Sequence, residues 1–214
     1  MLKESGARRE KTKAERLEDR AASNLSENMK TNTQAPASPA ELLAAVEFAA
    51  RKHRDQRRKD VEGTPYIAHP VRVASLLAGV AGIEDLAALQ AALLHDTVED
   101  TGTNPEEIER LFGPEVRALV QEVTDDKSLP KEERKRRQIE HAAELSPKAR
   151  LVKLADKIAN VAELTTTAPV GWPVERKLAY VDWAEAVVAR IRGSNAALEE
   201  LFNKVALEKR ALFG

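Results

Sequence analysis

Residues 84–100 read EDLAALQAALLHDTVED, and this stretch decides the fold. Between Asp85 and His95 only Gln90 is polar. Leu and Ala at this density favour helix, and a helix apolar on every face belongs inside a bundle. The spacing predicts one central helix over 84–100 that turns polar at His95, Asp96, Glu99 and Asp100 and is stopped by Gly102. Downstream, Asn104-Pro105-Glu106-Glu107 opens a helix with a capping box, Gly113-Pro114 breaks it, and EVRALVQEVTDD continues. A charged loop and helix, KSLPKEERKRRQIEHAAE, follows. Ser146-Pro147 then opens a helix carrying Leu151, Leu154, Ala155, Ile158 and Val161. Two more helices, about 174–192 and 195–211, follow a loop near 166–173.

Upstream, Ser38, Pro39 and Glu41 make a helix start with a cap hydroxyl and a capping-box acid. That helix runs to about Arg54. A basic loop, RRKDVEGTPYIAHP (57–70), is broken by Gly63, Pro65 and Pro70, and a helix with Val73, Leu76 and Leu77 resumes near Pro70. Nothing reads as a strand pair. The expectation is an all-α bundle of about eight or more helices forming a single domain over 38–214. Residues 1–37 are polar and charged and read as a disordered or weakly helical tail.

The 214 residues carry a net charge of -1, and aromatics make up 4%. There is neither a basic field nor a stacking platform for nucleic acid. Cysteine is absent, which excludes disulfides and thiolate metal sites and fits a cytoplasmic setting. The start, MLKESGARREKTK, lacks the apolar core of a secretory signal, and no apolar run is long enough to span a bilayer.

The polar intrusions carry the chemistry. Helical spacing sets His95 beside Glu99, and Asp96 beside Glu99 and Asp100. Clustered acids repel, and a bound cation relieves them. Imidazole mixed with carboxylate suits Mn, Fe or Zn. Asp156 lies among Leu154, Ala155 and Ile158, where a carboxylate needs a partner. Lys153 and Lys157 are one answer and a metal is the other. His69 sits between two prolines in a rigid loop. His53, on a basic helix end, reads as a support behind the ligands or as exposed, and His141 as surface.

Four motifs in order, HRDQRRKDVEGTPYIAHP, LLHDTVEDT, FGPEVRALVQEVTDDKSLP and LVKLADKIANVAEL, resemble the hydrolase domain of RelA/SpoT proteins, within the HD superfamily of metal-dependent phosphohydrolases. The resemblance covers roughly residues 40–192. It is strongest to stand-alone small alarmone hydrolases and their metazoan SpoT homologs. It implies an HD-domain bundle with one Mn2+ per chain held by His69, His95, Asp96 and Asp156. It implies Glu99 and Asp100 as the catalytic acids, and Arg58, Lys59, Asn160 and Tyr180 as nucleotide contacts. Lys131, in the basic set with Arg134 and Arg137, gains weight as a contact from the same resemblance. Many members carry Arg at the position of Ala162, so any contact from that Arg is missing here. The implied reaction is removal of the 3′-pyrophosphate of guanosine tetra- or pentaphosphate. Alternatives are 2′-dephosphorylation of NADPH on the same site, and a non-catalytic nucleotide-binding regulator. The implied partner is a small nucleotide, with no nucleic acid and no membrane.

Overall fold

The computed structural model describes residues 38–165 and 170–214. The expected tail, 1–37, and part of the loop near 166–173 lie outside the described residues. Within them the elements are α1 (Pro39–Lys52), α2 (Ala68–Gly79), α3 (Leu86–Leu94), α4 (Thr97–Thr101), α5 (Pro105–Phe112) and α6 (Pro114–Val123). Then come α7 (Lys131–His141), a 3-10 turn (Ala142–Glu144), α8 (Pro147–Ala162), α9 (Val174–Ala189) and α10 (Ala196–Phe213). The one β pairing among the described residues is a single bridge between Arg57 and Pro65.

The expected caps hold at Asn104 and Ser146, with two differences elsewhere. Asp85, Asn104, Ser146 and Asn195 accept backbone N–H groups with their side chains. Ser38 does not cap α1 with its hydroxyl; its carbonyl accepts from the N–H of Glu41 and Leu42. Glu107 does not close a capping box either, because it pairs with Lys52 of α1 at 2.7 Å.

The helix expected over 84–100 is interrupted at His95-Asp96. The His95 ring Nδ1 donates to the Ala92 carbonyl at 2.8 Å, and Thr97 Oγ1 donates to the Leu94 carbonyl at 2.7 Å. Side chains thus compete for carbonyls that a continuous ladder would use, and Asp96 sits at φ -94, ψ -5. Helix resumes with the Asp100 N–H on the Asp96 carbonyl, and Gly102 ends it at φ +67.

α8 is the axis of the bundle. It packs against α2, α3, α6, α9 and α10. Val152, Leu154, Ala155, Ile158, Ala159 and Val161 are buried along it, and so are Lys153, Asp156 and Lys157. α3 is buried from Ala88 to Leu94. Phe48 of α1 meets Phe112 of α5 edge-on at 5.3 Å, and Phe202, fully buried, fills the α10 side. Phe202→Ala is expected to cost about 3–5 kcal/mol, read as a lower midpoint in urea unfolding at unchanged slope.

Candidate metal centre and substrate pocket

His69 lies in the first turn of α2, aimed by the loop before it. That loop folds back on itself through Arg58 N–H to the Thr64 carbonyl (2.8 Å) and Tyr66 N–H to the Gln56 carbonyl (3.2 Å). Gly63 makes the turn at φ +62. His95 and Asp96 come from the break between α3 and α4, and Asp156 from the middle of α8.

Donor atoms of His69, His95 and Asp156 lie within 4.8 Å of one another, and Asp96 Oδ2 stands beside both imidazoles. His69 Nε2 is 3.2 Å from Asp156 Oδ1 and 3.8 Å from Asp96 Oδ2. His95 Nε2 is 3.1 Å from Asp96 Oδ2 and 3.8 Å from Asp156 Oδ1. Ligands bound at about 2.0–2.2 Å around one ion sit roughly 3 Å apart, so the spacing fits a divalent cation. The chemistry fits as well. His95 Nδ1 is committed to the Ala92 carbonyl, which in the neutral ring leaves Nε2 as a lone pair facing the cluster. That Nε2 is buried without a hydrogen-bond partner.

Electrostatics point the same way. Burial disfavours protonation of His95, yet the Asp96 and Asp156 carboxylates push it up to about 9. Burial also opposes ionisation of both acids, yet both are held well below the usual carboxylate range. His95 and His69 do this for Asp96, and Lys157 with both imidazoles for Asp156. The cluster therefore attracts positive charge.

Further side chains orient the donors. Tyr66 donates its hydroxyl to Asp96 Oδ2 at 2.6 Å. Lys157 Nζ donates to Asp156 Oδ2 at 3.0 Å, and Asn160 donates to Asp156 Oδ1 at 2.5 Å. Lys153, expected as a possible partner of Asp156, instead donates to the Val123 carbonyl at 3.0 Å. Beside the cluster, Glu99 accepts the Asp125 N–H at 3.1 Å. Burial pushes Glu99 up to about 7; the Asp125 N–H opposes this, and the charges of Asp125, Asp96 and Asp100 reinforce it. Asp100 is paired with Lys127.

A cavity of about 280 Å³ adjoins the cluster, lined by Arg58, Lys59, Tyr66, Asn160, Trp172 and Tyr180, with Asp100 on its wall. Arg58 is paired with Glu163 and lies over the Tyr66 ring. Burial pushes the Tyr180 phenol up to about 12, so it stays a donor at neutral pH. Lys131 does not line this cavity; it is exposed on the first turn of α7, 5.9 Å from the Trp172 ring centroid.

Sequence reasoning missed Tyr66 and Trp172 and left His53 between two readings. His53 is 2% exposed, stacked on Tyr66 at 4.9 Å and bonded to Gln56. Its exposed alternative is thereby corrected: the ring is apolar backing for Tyr66. Tyr66 itself was legible, three residues before His69. Trp172 lies beyond the matched motifs, and only folding brings it to the pocket. His141 is exposed, as expected.

The bundle and its donor set define a class: helical, metal-dependent hydrolases of the HD type. A family model described as HD domain matches residues 45–179. The chain belongs to the HD-domain family, in its RelA/SpoT-type, stand-alone branch. It is 56% identical over 173 residues to the guanosine-3′,5′-bis(diphosphate) 3′-pyrophosphohydrolase MESH1 of Mus musculus, covering 81% of this chain and 96% of that protein. It is 42% identical over 130 residues to the guanosine-3′,5′-bis(diphosphate) 3′-pyrophosphohydrolase of Aquifex aeolicus, covering 58% of this chain and 18% of that one. A solved structure described as a metazoan ortholog of SpoT that hydrolyzes ppGpp superposes with a TM-score of 0.78 at 49% identity, covering 83% of this chain and 99% of that chain.

The donor geometry makes a direct prediction. A divalent cation, with Mn2+ as probe, should raise the melting temperature of the metal-free protein, by about 2.7 kcal/mol of added stability at 100 times Kd. His95→Ala and Asp156→Ala should lose that rise and the bound metal measured by elemental analysis.

Proposed function

We propose that this chain hydrolyses the 3′-pyrophosphate of guanosine tetra- or pentaphosphate to GDP or GTP and pyrophosphate, using one Mn2+ per chain. The observation that carries it is the junction of two features. A His69–His95–Asp96–Asp156 donor set opens, past Tyr66 and Asn160, onto a cavity with Arg58, Lys59 and aromatic walls. The relatives named above for this activity support the choice of substrate. A cytoplasmic setting, where such nucleotides occur, goes with it.

When bound, the divalent ion would lower the pKa of water and neutralise charge developing on phosphorus. The protein does the rest. Arg58 presents a planar fork of donors to phosphate, and Lys59 a mobile ammonium. Tyr180 offers a hydroxyl and a ring face to the nucleoside. The water oxygen bonds to the phosphorus on the ribose 3′-oxygen, and the bond from that phosphorus to the 3′-oxygen breaks. The 3′-oxygen takes up a proton and pyrophosphate leaves. Glu99 accepts the proton of the water. It suits that task better than Asp100, because it is half-buried and poised at about 7 with Lys127 no nearer than 3.9 Å, whereas Lys127 pairs directly with Asp100.

A base must be ionised to act. In the metal-free protein Glu99 holds its proton below about 7, and a bound cation favours its ionised form, so kcat/KM should rise with pH along a limb no higher than about 7 and then level off. Glu99→Gln should keep bound Mn2+, lose turnover by about 100-fold or more, and flatten that limb. The deciding assay follows products from guanosine tetraphosphate and from NADPH in parallel, with and without Mn2+. Pyrophosphate release that needs metal, with the larger specificity constant on the guanosine nucleotide, is the expected result. A larger constant on NADPH overturns the substrate, and nucleotide binding without turnover overturns the enzyme.

A further inference from the structure

Among the described residues, the hydrogen bond that orients Glu99 comes from the Asp125 backbone N–H at 3.1 Å. Asp125 lies on the irregular stretch after α6, beyond the last helical turn. Two side chains from other helices hold that stretch and the end of α6 just before it. Lys153 of α8 donates to the Val123 carbonyl at 3.0 Å, and Gln138 of α7 donates Nε2 to Asp125 Oδ2 at 2.5 Å.

The Gln138 amide has one tolerable orientation. Turned over, its oxygen would face a carboxylate. In the orientation it takes, Oε1 is buried without a hydrogen-bond partner. An orphan acceptor is unfavourable for stability and calls for an explanation. The one hydrogen bond that the Gln138 side chain makes among the described residues ends on the residue that orients Glu99.

We infer that Gln138 is a positioning residue for Glu99, acting through Asp125. The inference rests on Glu99 being the proton acceptor. Gln138 neither lines the substrate cavity nor joins the donor set. It holds the Asp125 carboxylate from the far side, so the Asp125 N–H stays aimed at Glu99 Oε2. Losing that hold misaligns the base while leaving the nucleotide contacts in place. Gln138 and Asp125 also border a second cavity, of about 170 Å³, with Arg134 and Lys153. A lysine at position 138 therefore has room, and its ammonium can donate to Asp125.

The test is steady-state kinetics of the Mn2+-loaded full chain with guanosine tetraphosphate. Gln138→Leu should lower kcat on the order of tenfold, with KM within about twofold of wild type and metal content and melting temperature unchanged. Gln138→Lys should recover most of kcat. Gln138→Leu added to Glu99→Gln should slow turnover no further than Glu99→Gln alone, because the two act on one step. If Gln138→Leu melts early, Gln138→Asn carries the same expected loss, since it keeps the amide and shortens its reach. Unchanged kcat in Gln138→Leu, no recovery in Gln138→Lys, or additive loss in the double variant overturns the inference. Wild-type turnover in Glu99→Gln overturns the base assignment and this inference with it. A dead Glu99→Gln beside a fully active Gln138→Leu overturns this inference alone.

Discussion

The structure is organised around a buried carboxylate. Asp156 sits in the middle of α8, a helix packed against five others, where an unpaired charge is not tolerable. The fold answers with Lys157 on one oxygen and Asn160 and His69 at the other. Lys157 is itself enclosed, with its ammonium 4.4 Å from the Trp183 ring centroid. Each of these groups is acceptable inside only because the others are there. That interdependence ties α2, α8 and α9 to the centre they surround.

The second constraint is the break between α3 and α4. A straight helix would place His95, Asp96, Glu99 and Asp100 in register along one cylinder. The break, made by the His95 ring and the Thr97 hydroxyl taking backbone carbonyls, separates their tasks. His95 and Asp96 face the donor set. Glu99 takes the Asp125 N–H from the stretch after α6, while Asp100 stands on the wall of the substrate cavity. One short interruption thus gives a single motif three neighbourhoods.

Much of this was legible in the chain. The apolar run before His95, the caps at Asn104 and Ser146, and the glycine stops place the helices, because those signals are local. The donor types at positions 69, 95, 96 and 156 were legible because imidazole and carboxylate amid apolar residues are costly without a purpose. The outliers are side chains whose environment is made by distant segments. His53 lies on a basic helix end where the sequence left support and exposure both open, and it is buried with the Tyr66 ring stacked on it. Lys131 comes from α7, and its place beside Trp172 at the edge of the cavity is set by packing.

By itself, then, the sequence determined the helical class, the approximate helix boundaries and which residue types carry the chemistry, since spacing and composition act over a turn or two of chain. Only the tertiary structure decided which acid pairs with which base. Lys157 rather than Lys153 serves Asp156, Lys127 pairs closely with Asp100 and stands 3.9 Å from Glu99, and Glu99 takes its hydrogen bond from a backbone N–H. The physical reason is that pairing and desolvation depend on distances of a few ångströms between residues far apart in the chain. Periodicity brings such residues to the same face of a helix. Packing alone sets what lies opposite them.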